Sequence, residues 1–461
     1  MAVKFNLNSE EPIINRLHGD KVIWIIIFIL SLISIALIYS ASSSLAFKEN
    51  VTNFSYLMNQ CKFVLLGLVT VYICYKIPLG VYRFATYFIF GISLLLLMLT
   101  LVPGIGKEIN GARRWIMIGP IQFQPAELVK ITLILYLARA LEMWELKNFK
   151  DFIIKILAPI GVVCVLILVG SVSTSLIVGA LSFLILWMAG VKVSYLLKSI
   201  GLAACFFVFL ILLNSGVKLI DKDIDLFPRF STAVSRLEKF FVKEEIDANL
   251  SAEEIQKKKD ETFQADMARI AISSVGVLGK GPGKSTQRYV LPHPYSDFIY
   301  TIIIEEYGLL GGVFVLMLYL WFLYRCVIMV KHCTKKFTAI TVGGLGLMIS
   351  IQAGLHILVN VGILPVTGHT LPLVSLGGTS LLIFSCAFGI VLSVSRTIDI
   401  DNTKKAEQKR LEKEEAERLA AERREAEATA AELKEGENVT AAGNGEEMLH
   451  DIIDEHTGEF K

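Results

Sequence analysis

The sequence predicts an all-α integral membrane protein with about ten transmembrane helices, and three observations carry that prediction. Hydrophobic residues make up 54% of the 461-residue chain against 19% charged, with a mean hydropathy of +0.59, more apolar than an ordinary soluble domain. The apolar residues stand in uninterrupted runs rather than at a helical or strand period. The first run, Val22–Ser40, holds no charge and is long enough to cross a hydrocarbon core of about 30 Å at about 1.5 Å per residue. Backbone exposed to lipid must satisfy its own hydrogen bonds, and these runs exceed barrel strands, so helices are the reading.

Comparable runs recur near 60–79, 84–103, 124–141, 152–169, 171–190, 197–214, 298–324, 338–360 and 373–395. The first is a retained anchor rather than a signal peptide, because its apolar core exceeds the usual 7–15 residues and further spans follow. The seven cysteines lie mostly within runs or short connections, without CxxC or metal-like spacing, which argues against a disulfide framework. The net charge of +2 is uninformative because charge is segregated by segment; no nucleic-acid partner is expected.

Lysines and arginines of the short connections set the expected orientation. With the N-terminus inside, Lys4, Arg16, Lys21, Lys76, Arg83, Arg139, Lys147, Lys150, Lys192, Lys198 and the basic stretch Arg325–Lys336 lie on the inner side. The short outer connections hold only Lys48, Lys107, Arg113 and Arg114. The expected organisation is a cytoplasmic N-terminus (1–21), spans one to seven (22–214), a large extracytoplasmic loop (215–297), spans eight to ten (298–398) and a charged cytoplasmic tail (399–461). The middle of the loop, Arg236-Leu-Glu-Lys-Phe-Phe-Val-Lys-Glu-Glu, suits an amphipathic surface helix. The tail has opposite charges at i,i+4 and reads as a solvated helix fading after Gly436, or as a partner-binding tail.

Among candidate chemistry, Asp297 in Leu291-Pro-His-Pro-Tyr-Ser-Asp-Phe-Ile-Tyr300 precedes an apolar run. It reads either as a helix cap or as a functional carboxylate at the outer rim. Glu305 and Glu306 follow about 12–14 Å along the same helix and cannot share one role with it. Ionisable groups at membrane depth usually face a polar interior, so Glu305 is the nearer site candidate and Glu306 a structural partner. Arg113 and Arg114 stand against the positive-inside trend and suit a guanidinium fork for a phosphate, or are simply solvated.

Gly279-Lys-Gly-Pro-Gly-Lys-Ser-Thr-Gln-Arg288 is not a P-loop, because Leu278 stands where the pattern needs glycine, and no nucleotide is expected. It reads as a flexible basic loop whose Lys280 and Arg288 suit phosphate oxygens. Gln352, His356 and Asn360 share a helical face and read as an interhelical hydrogen-bond set. The glycines of Leu371-Pro-Leu-Val-Ser375-Leu-Gly-Gly-Thr-Ser380 suggest close backbone packing or a substrate groove, with Ser375 as a candidate contact. No zinc spacing or Gly-x-Ser-x-Gly elbow is present, and metal ligands are unassigned.

Taken together, Asn110-Gly-Ala-Arg-Arg-Trp-Ile, Gln124-Pro-Ala-Glu-Leu-Val-Lys130, Gly279–Ser285, Leu291–Ile299, Glu305-Glu-Tyr-Gly-Leu309, Leu364-Pro-Val-Thr-Gly368 and Leu371–Ser380 resemble the SEDS family (shape, elongation, division and sporulation) over about residues 20–398. The resemblance implies a ten-span peptidoglycan glycosyltransferase of the bacterial cytoplasmic (inner) membrane that polymerises lipid II, with Asp297 as the catalytic aspartate. It leans toward the division members, hence toward the septum. Arg113, Arg114, Lys280 and Arg288 would offset the leaving pyrophosphate, and a divalent cation, Mg2+ or Mn2+, is the candidate cofactor. The implied partner is a class B penicillin-binding transpeptidase, with other division-complex proteins recruited through the tail. A lipid II flippase and a non-enzymatic division scaffold remain open alternatives.

The chain departs from the family pattern at several points. His293, Pro294, Tyr295 and Ser296 replace a common Glu-Ala-His-Thr before the aspartate, and Gly170-Ser-Val-Ser-Thr174 lacks the acid of a Pro-Asp-x-Gly-Thr motif. Thr367 stands where many members have a base, followed by His369, and His356 where asparagine is usual.

Overall fold

The computed structural model describes residues 18–43, 45, 52–109, 112–119, 121–220, 267–291 and 293–457. Ten helices fall on the ten apolar runs. They are α1 (Lys21–Ala41), α2 (Asn53–Lys76), α3 (Leu79–Leu99), α4 (Pro125–Met143) and α5 (Phe149–Gly170, with a π-helical stretch Ile153–Leu157). Then come α6 (Val172–Met188), α7 (Val193–Ile220), α8 (Ile299–His332), α9 (Lys336–Asn360) and α10 (Gly378–Thr457).

Among the described residues, seven helices are long and apolar enough to cross a membrane: α1, α2, α3, α5, α8, α9 and the apolar part of α10. The other three fall short of the expected ten for visible reasons. Helix α4 carries Glu127, Lys130, Arg139 and Glu142, α6 has only 17 residues, and α7, whose apolar sequence runs on through Leu213, counts only over Val193–Phe209 among the described residues.

The chain divides into two units, one ending at Ile398 and the other beginning at Asp399. In the first, α9 and the apolar stretch of α10 are mostly buried, whereas α2 and α3 keep broad apolar faces outward, as lipid-facing helices do. Small residues let α9 sit centrally: a methyl on Gly344 would strike Ile134 and Ile185, and one on Gly346 would strike Cys326 of α8. In the second unit the helical backbone continues past Gly436 to Thr457, so the expected fading after Gly436 is not observed. Pairs such as Arg410–Glu414 at 2.8 Å bridge its exposed turns.

Two findings revise the all-helical reading. Between α3 and α4 the chain forms a small antiparallel sheet, β1 (Gly106–Ile109), β2 (Ala112–Ile118) and β3 (Ile121–Phe123), in the order β1-β2-β3. Arg113 and Arg114 therefore sit on a strand, with Lys107 opposite Trp115 and Met117 opposite Gln122.

The second finding is that α8 is broken at Gly308 (φ 70°, ψ −169°). The break frees the carbonyls of Glu305 and Glu306, which accept hydrogen bonds of 2.9 Å from the Lys280 and Gly281 amides. A Cβ on Gly308 would lie 2.2 Å from the Val277 carbonyl oxygen, and one on Gly279 2.4 Å from that of Glu306. Two glycines thus let the 277–281 backbone dock into the broken helix. The glycine-rich loop is pinned rather than flexible. The proposed amphipathic stretch at 236–245 lies outside the described residues, as do Asn110, Gly111 and Pro292.

Candidate active site

The loops before α8 and between α9 and α10 meet the β-sheet at one end of the bundle, around a cavity of about 490 Å3. Asp297, Ser296, Tyr295 and His293 line it from the turn before α8, and Gly368, His369 and Thr370 from the α9–α10 loop. Arg114 and Trp115 reach it from β2, Glu127 from α4, Thr174 from α6 and Phe63 from α2. The start of α10 closes the wall with Gly378, Thr379 and Ser380. The Thr379 hydroxyl donates to the Gln122 carbonyl at 2.7 Å, tying α10 to the sheet.

Asp297 does not cap α8. The N-cap is Phe298, and the first-turn amide of Thr301 donates instead to Asn360 Oδ1 of α9 at 3.0 Å. The Asn360 Nδ2 in turn donates to the Asp297 carbonyl at 3.0 Å and to the His356 carbonyl at 2.8 Å. One amide thus performs the capping and holds the aspartate's backbone, leaving the carboxylate to the cavity. The Ser296 hydroxyl donates to Asp297 Oδ1 at 3.0 Å. Burial pushes the Asp297 carboxyl above its ordinary 3.8, while the Ser296 hydroxyl, His293 and Arg114 pull it the other way.

The polar face of α9 is a row of struts, as its spacing suggested. Gln352 Nε2 donates to the Thr370 carbonyl at 3.3 Å and His356 Nδ1 to the His369 carbonyl at 2.7 Å. Because a carbonyl only accepts, His356 carries its proton on Nδ1. Behind Glu127, Lys130 Nζ lies 2.7 Å from its carboxylate and donates to Gln352 Oε1 at 2.6 Å. His369 is pushed down to about 3, first by burial and then by the charges of Lys130 and Arg114, so its imidazole is neutral at physiological pH.

The structure brings together only part of the candidate set. Asp297 and Arg114 share the cavity. Arg113 lines a small adjoining pocket with Arg114, Ser171 and Thr174, and its guanidinium lies 3.5 Å from Glu108.

Lys280 and Glu305 pair with each other at 2.6 Å, and Glu305 also accepts from Ser285, from the Thr286 amide at 3.0 Å and from the Thr286 hydroxyl at 2.8 Å. Neither lines the cavity. Arg288 donates to Ser40 Oγ at 3.1 Å and to the Tyr289 hydroxyl at 3.0 Å, and the Ser40 hydroxyl donates to Glu306. Ser375 is buried beneath the site: its hydroxyl donates to the Ser296 carbonyl and accepts from the Leu371 amide, both at 2.8 Å. It shapes the turn rather than facing the cavity. Glu127 and Thr174, which the sequence shows only as members of motifs, and Phe63 were given no role at the site. For Glu127 a signal existed, since Glu127 and Lys130 are charges spaced i,i+3 in an apolar helix.

Comparison with known proteins adds the following. The sequence profile of the FtsW/RodA/SpoVE family of cell cycle proteins matches residues 20–399. A probable peptidoglycan glycosyltransferase FtsW from Geobacter metallireducens is 30% identical over 400 residues, covering 86% of this chain and 98% of the relative. Its counterpart from Saccharophagus degradans is 30% identical over 380 residues, 80% of this chain and 91% of the relative. Among solved structures, a chain from a peptidoglycan synthase complex that coordinates polymerization and crosslinking is similar with a TM-score of 0.63 at 25% identity, over 82% of this chain and 98% of that one. The rod shape determining protein RodA of Thermus thermophilus shares the fold at a TM-score of 0.57 and 24% identity, over 83% and 98% of the two chains.

Proposed function

This chain belongs to the FtsW/RodA/SpoVE family of cell cycle proteins, and from that premise we propose that it is a peptidoglycan glycosyltransferase polymerising lipid II. The observation that carries the reading is the Asp297 carboxylate, relieved of capping by Asn360 and held in one cavity with Arg114. The donor is a glycan on an isoprenoid pyrophosphate and the acceptor the 4-hydroxyl of lipid II. Asp297 takes the hydroxyl proton as oxygen attacks the anomeric carbon; the carbon–pyrophosphate bond breaks on the opposite side, with inversion. Arg114 offsets the charge developing on the leaving group.

The described residues hold no group of three or more His, Cys, Asp or Glu suited to a metal ion. Among those residues a protein-built cation cage does not fit, and no step is routed through one. Mg2+ or Mn2+ held chiefly by the pyrophosphate is a proposal that chelation during turnover tests.

The proposed setting is a multi-pass protein of the bacterial cytoplasmic membrane, with ten spans, both termini inside and the cavity at the outer face, acting at the septum. The lysine and arginine distribution supports that orientation. We propose a class B penicillin-binding transpeptidase as partner, supported by the likeness to a chain of a complex that couples polymerization to crosslinking. The tail is proposed to meet other division proteins. Purified chain with lipid II should yield glycan polymer, and Asp297→Asn should not. Transport of labelled lipid II across vesicles without polymer would instead make it a flippase.

A further inference from the structure

The turn that delivers Asp297 carries two further side chains into the cavity, His293 and Tyr295. His293 Nδ1 lies 3.0 Å from the Tyr295 hydroxyl, with the two rings perpendicular and their centroids 5.9 Å apart. The backbone under them is fixed at several points. The amides of Ser296 and Asp297 both donate to the His293 carbonyl at 3.1 Å, and the Leu376 amide donates to the Tyr295 carbonyl at 2.9 Å. Ser375 and Asn360 hold the next two carbonyls. His293 itself sits at φ 54°, a left-handed conformation uncommon outside glycine but one that histidine adopts more readily than most residues. A braced turn thus holds an exposed imidazole beside a phenol in the cavity.

Other cations of this end of the bundle are held by partners and lie outside the cavity lining. Lys130 is committed to Glu127 and Gln352, Lys280 to Glu305, and Arg288 to Ser40 and Tyr289. His369 is neutral in its buried position. Arg114 and His293 are the basic groups whose charge bears on the Asp297 carboxylate from within the cavity.

We propose that His293 and Tyr295 form an anion-binding pair for the pyrophosphate of the lipid-linked substrate, working with Arg114. This rests on the glycosyltransferase reading above. A phosphate oxygen only accepts hydrogen bonds. The binding form is therefore one in which the Tyr295 O–H donates to Nδ1 and Nε2 carries a proton toward the ligand, or the imidazolium, which adds a charge. The groups facing the pair across the cavity are Arg114, Glu127, Asp297 and His369. Lys280 and Arg288, the sequence's candidates for this task, lie outside that set.

Two measurements on the full chain in detergent test the pair: lipid II polymerisation kinetics, and binding of inorganic pyrophosphate by calorimetry, which needs no turnover. His293→Asn tolerates the left-handed backbone and removes the imidazole, His293→Lys keeps a cation, and Tyr295→Phe removes the hydroxyl. The expected result for His293→Asn is a KM raised about tenfold with kcat changed less than about threefold, and pyrophosphate binding weakened about tenfold. His293→Lys should recover part of both losses, and Tyr295→Phe should weaken binding less than His293→Asn.

Native polymerisation with unchanged KM and pyrophosphate binding in His293→Asn would overturn the pair and leave the proposed function standing. Pyrophosphate binding that weakens in His293→Asn, in a native chain that makes no polymer, would keep the pair as an anion site and overturn the proposed function.

Discussion

Asp297 lies in the turn just before α8 and Glu305 within that helix's first two turns, yet the fold treats them in opposite ways. Glu305 is fully buried and accepts hydrogen bonds from Lys280, Ser285 and Thr286, so its carboxylate is consumed in pinning the glycine-rich loop. Asp297 is half-buried, receives one side-chain hydrogen bond from Ser296, and faces a cavity. A carboxylate saturated with donors is a structural clamp; one that is desolvated but under-used retains its capacity to take a proton. Burial in the apolar bundle therefore does not by itself mark function. The state of the hydrogen-bond shell does.

The largest expected effect tests the open carboxylate. Asp297→Asn keeps the shape and removes the proton acceptor, and should lower lipid II polymerisation by about 10²–10⁴-fold. Stability should move the other way. Burial raises the folded-state pKa of Asp297, so the stability tied to its proton is complete below about 3.8 and is lost as pH rises through the folded value. Asn escapes that loss. The variant should thus melt higher than the native chain at neutral pH, with the difference fading toward pH 3.8. Native activity should also fall as acid protonates the carboxyl, at a pH above its ordinary 3.8. Equal melting of the two proteins at neutral pH would remove the desolvation argument.

Next come changes that break the clamp. Glu305→Ala leaves the buried Ser285 hydroxyl and the Thr286 amide and hydroxyl without their charged acceptor and should cost about 2–3 kcal/mol, the partly exposed Lys280 adding little. Gly308→Ala sets a Cβ 2.2 Å from a carbonyl oxygen at a positive φ and should cost about 2–4 kcal/mol. Denaturant or thermal unfolding in detergent reads both. Neither should reproduce the Asp297→Asn pattern of lost turnover with intact or improved stability. If either did, the two carboxylates would not be separable in role.

This contrast was only half legible in the sequence. The ten apolar runs became ten helices, because uninterrupted hydrophobicity is a strong local signal. Apolar length carries no mark of a broken helix, however, so the interruption at Gly308 was invisible in the run 298–324, and Glu305 looked like a neighbour of the site. The sheet was missed although Asn110-Gly111 and Gly119-Pro120 flank Ala112–Ile118, a hairpin signature outweighed by the membrane context. The capping of α8 by Asn360 was beyond reach, since it depends on a helix that returns to the site only through tertiary packing. The face shared by Gln352, His356 and Asn360 was legible as a set, but not its targets in the 361–377 loop.

The smallest expected effect separates the two regions most cleanly. Lys280 belongs to the motif that first suggested phosphate binding, yet its ammonium is 2.6 Å from Glu305 and 3.0 Å from the Thr286 hydroxyl, on the clamp side. Lys280→Met keeps most of the aliphatic stem and removes the charge. Because the lysine is partly exposed and Glu305 retains its Ser285 and Thr286 donors, the stability cost should be only about 1 kcal/mol. Polymerisation per folded molecule should stay within about threefold of the native rate, with KM for lipid II unchanged. Arg114→Met is the matched control across the boundary, and it should lose at least tenfold in kcat/KM. A Lys280→Met enzyme that lost as much as Arg114→Met would mean that the glycine-rich loop leaves its clamp during turnover and brings Lys280 to the substrate.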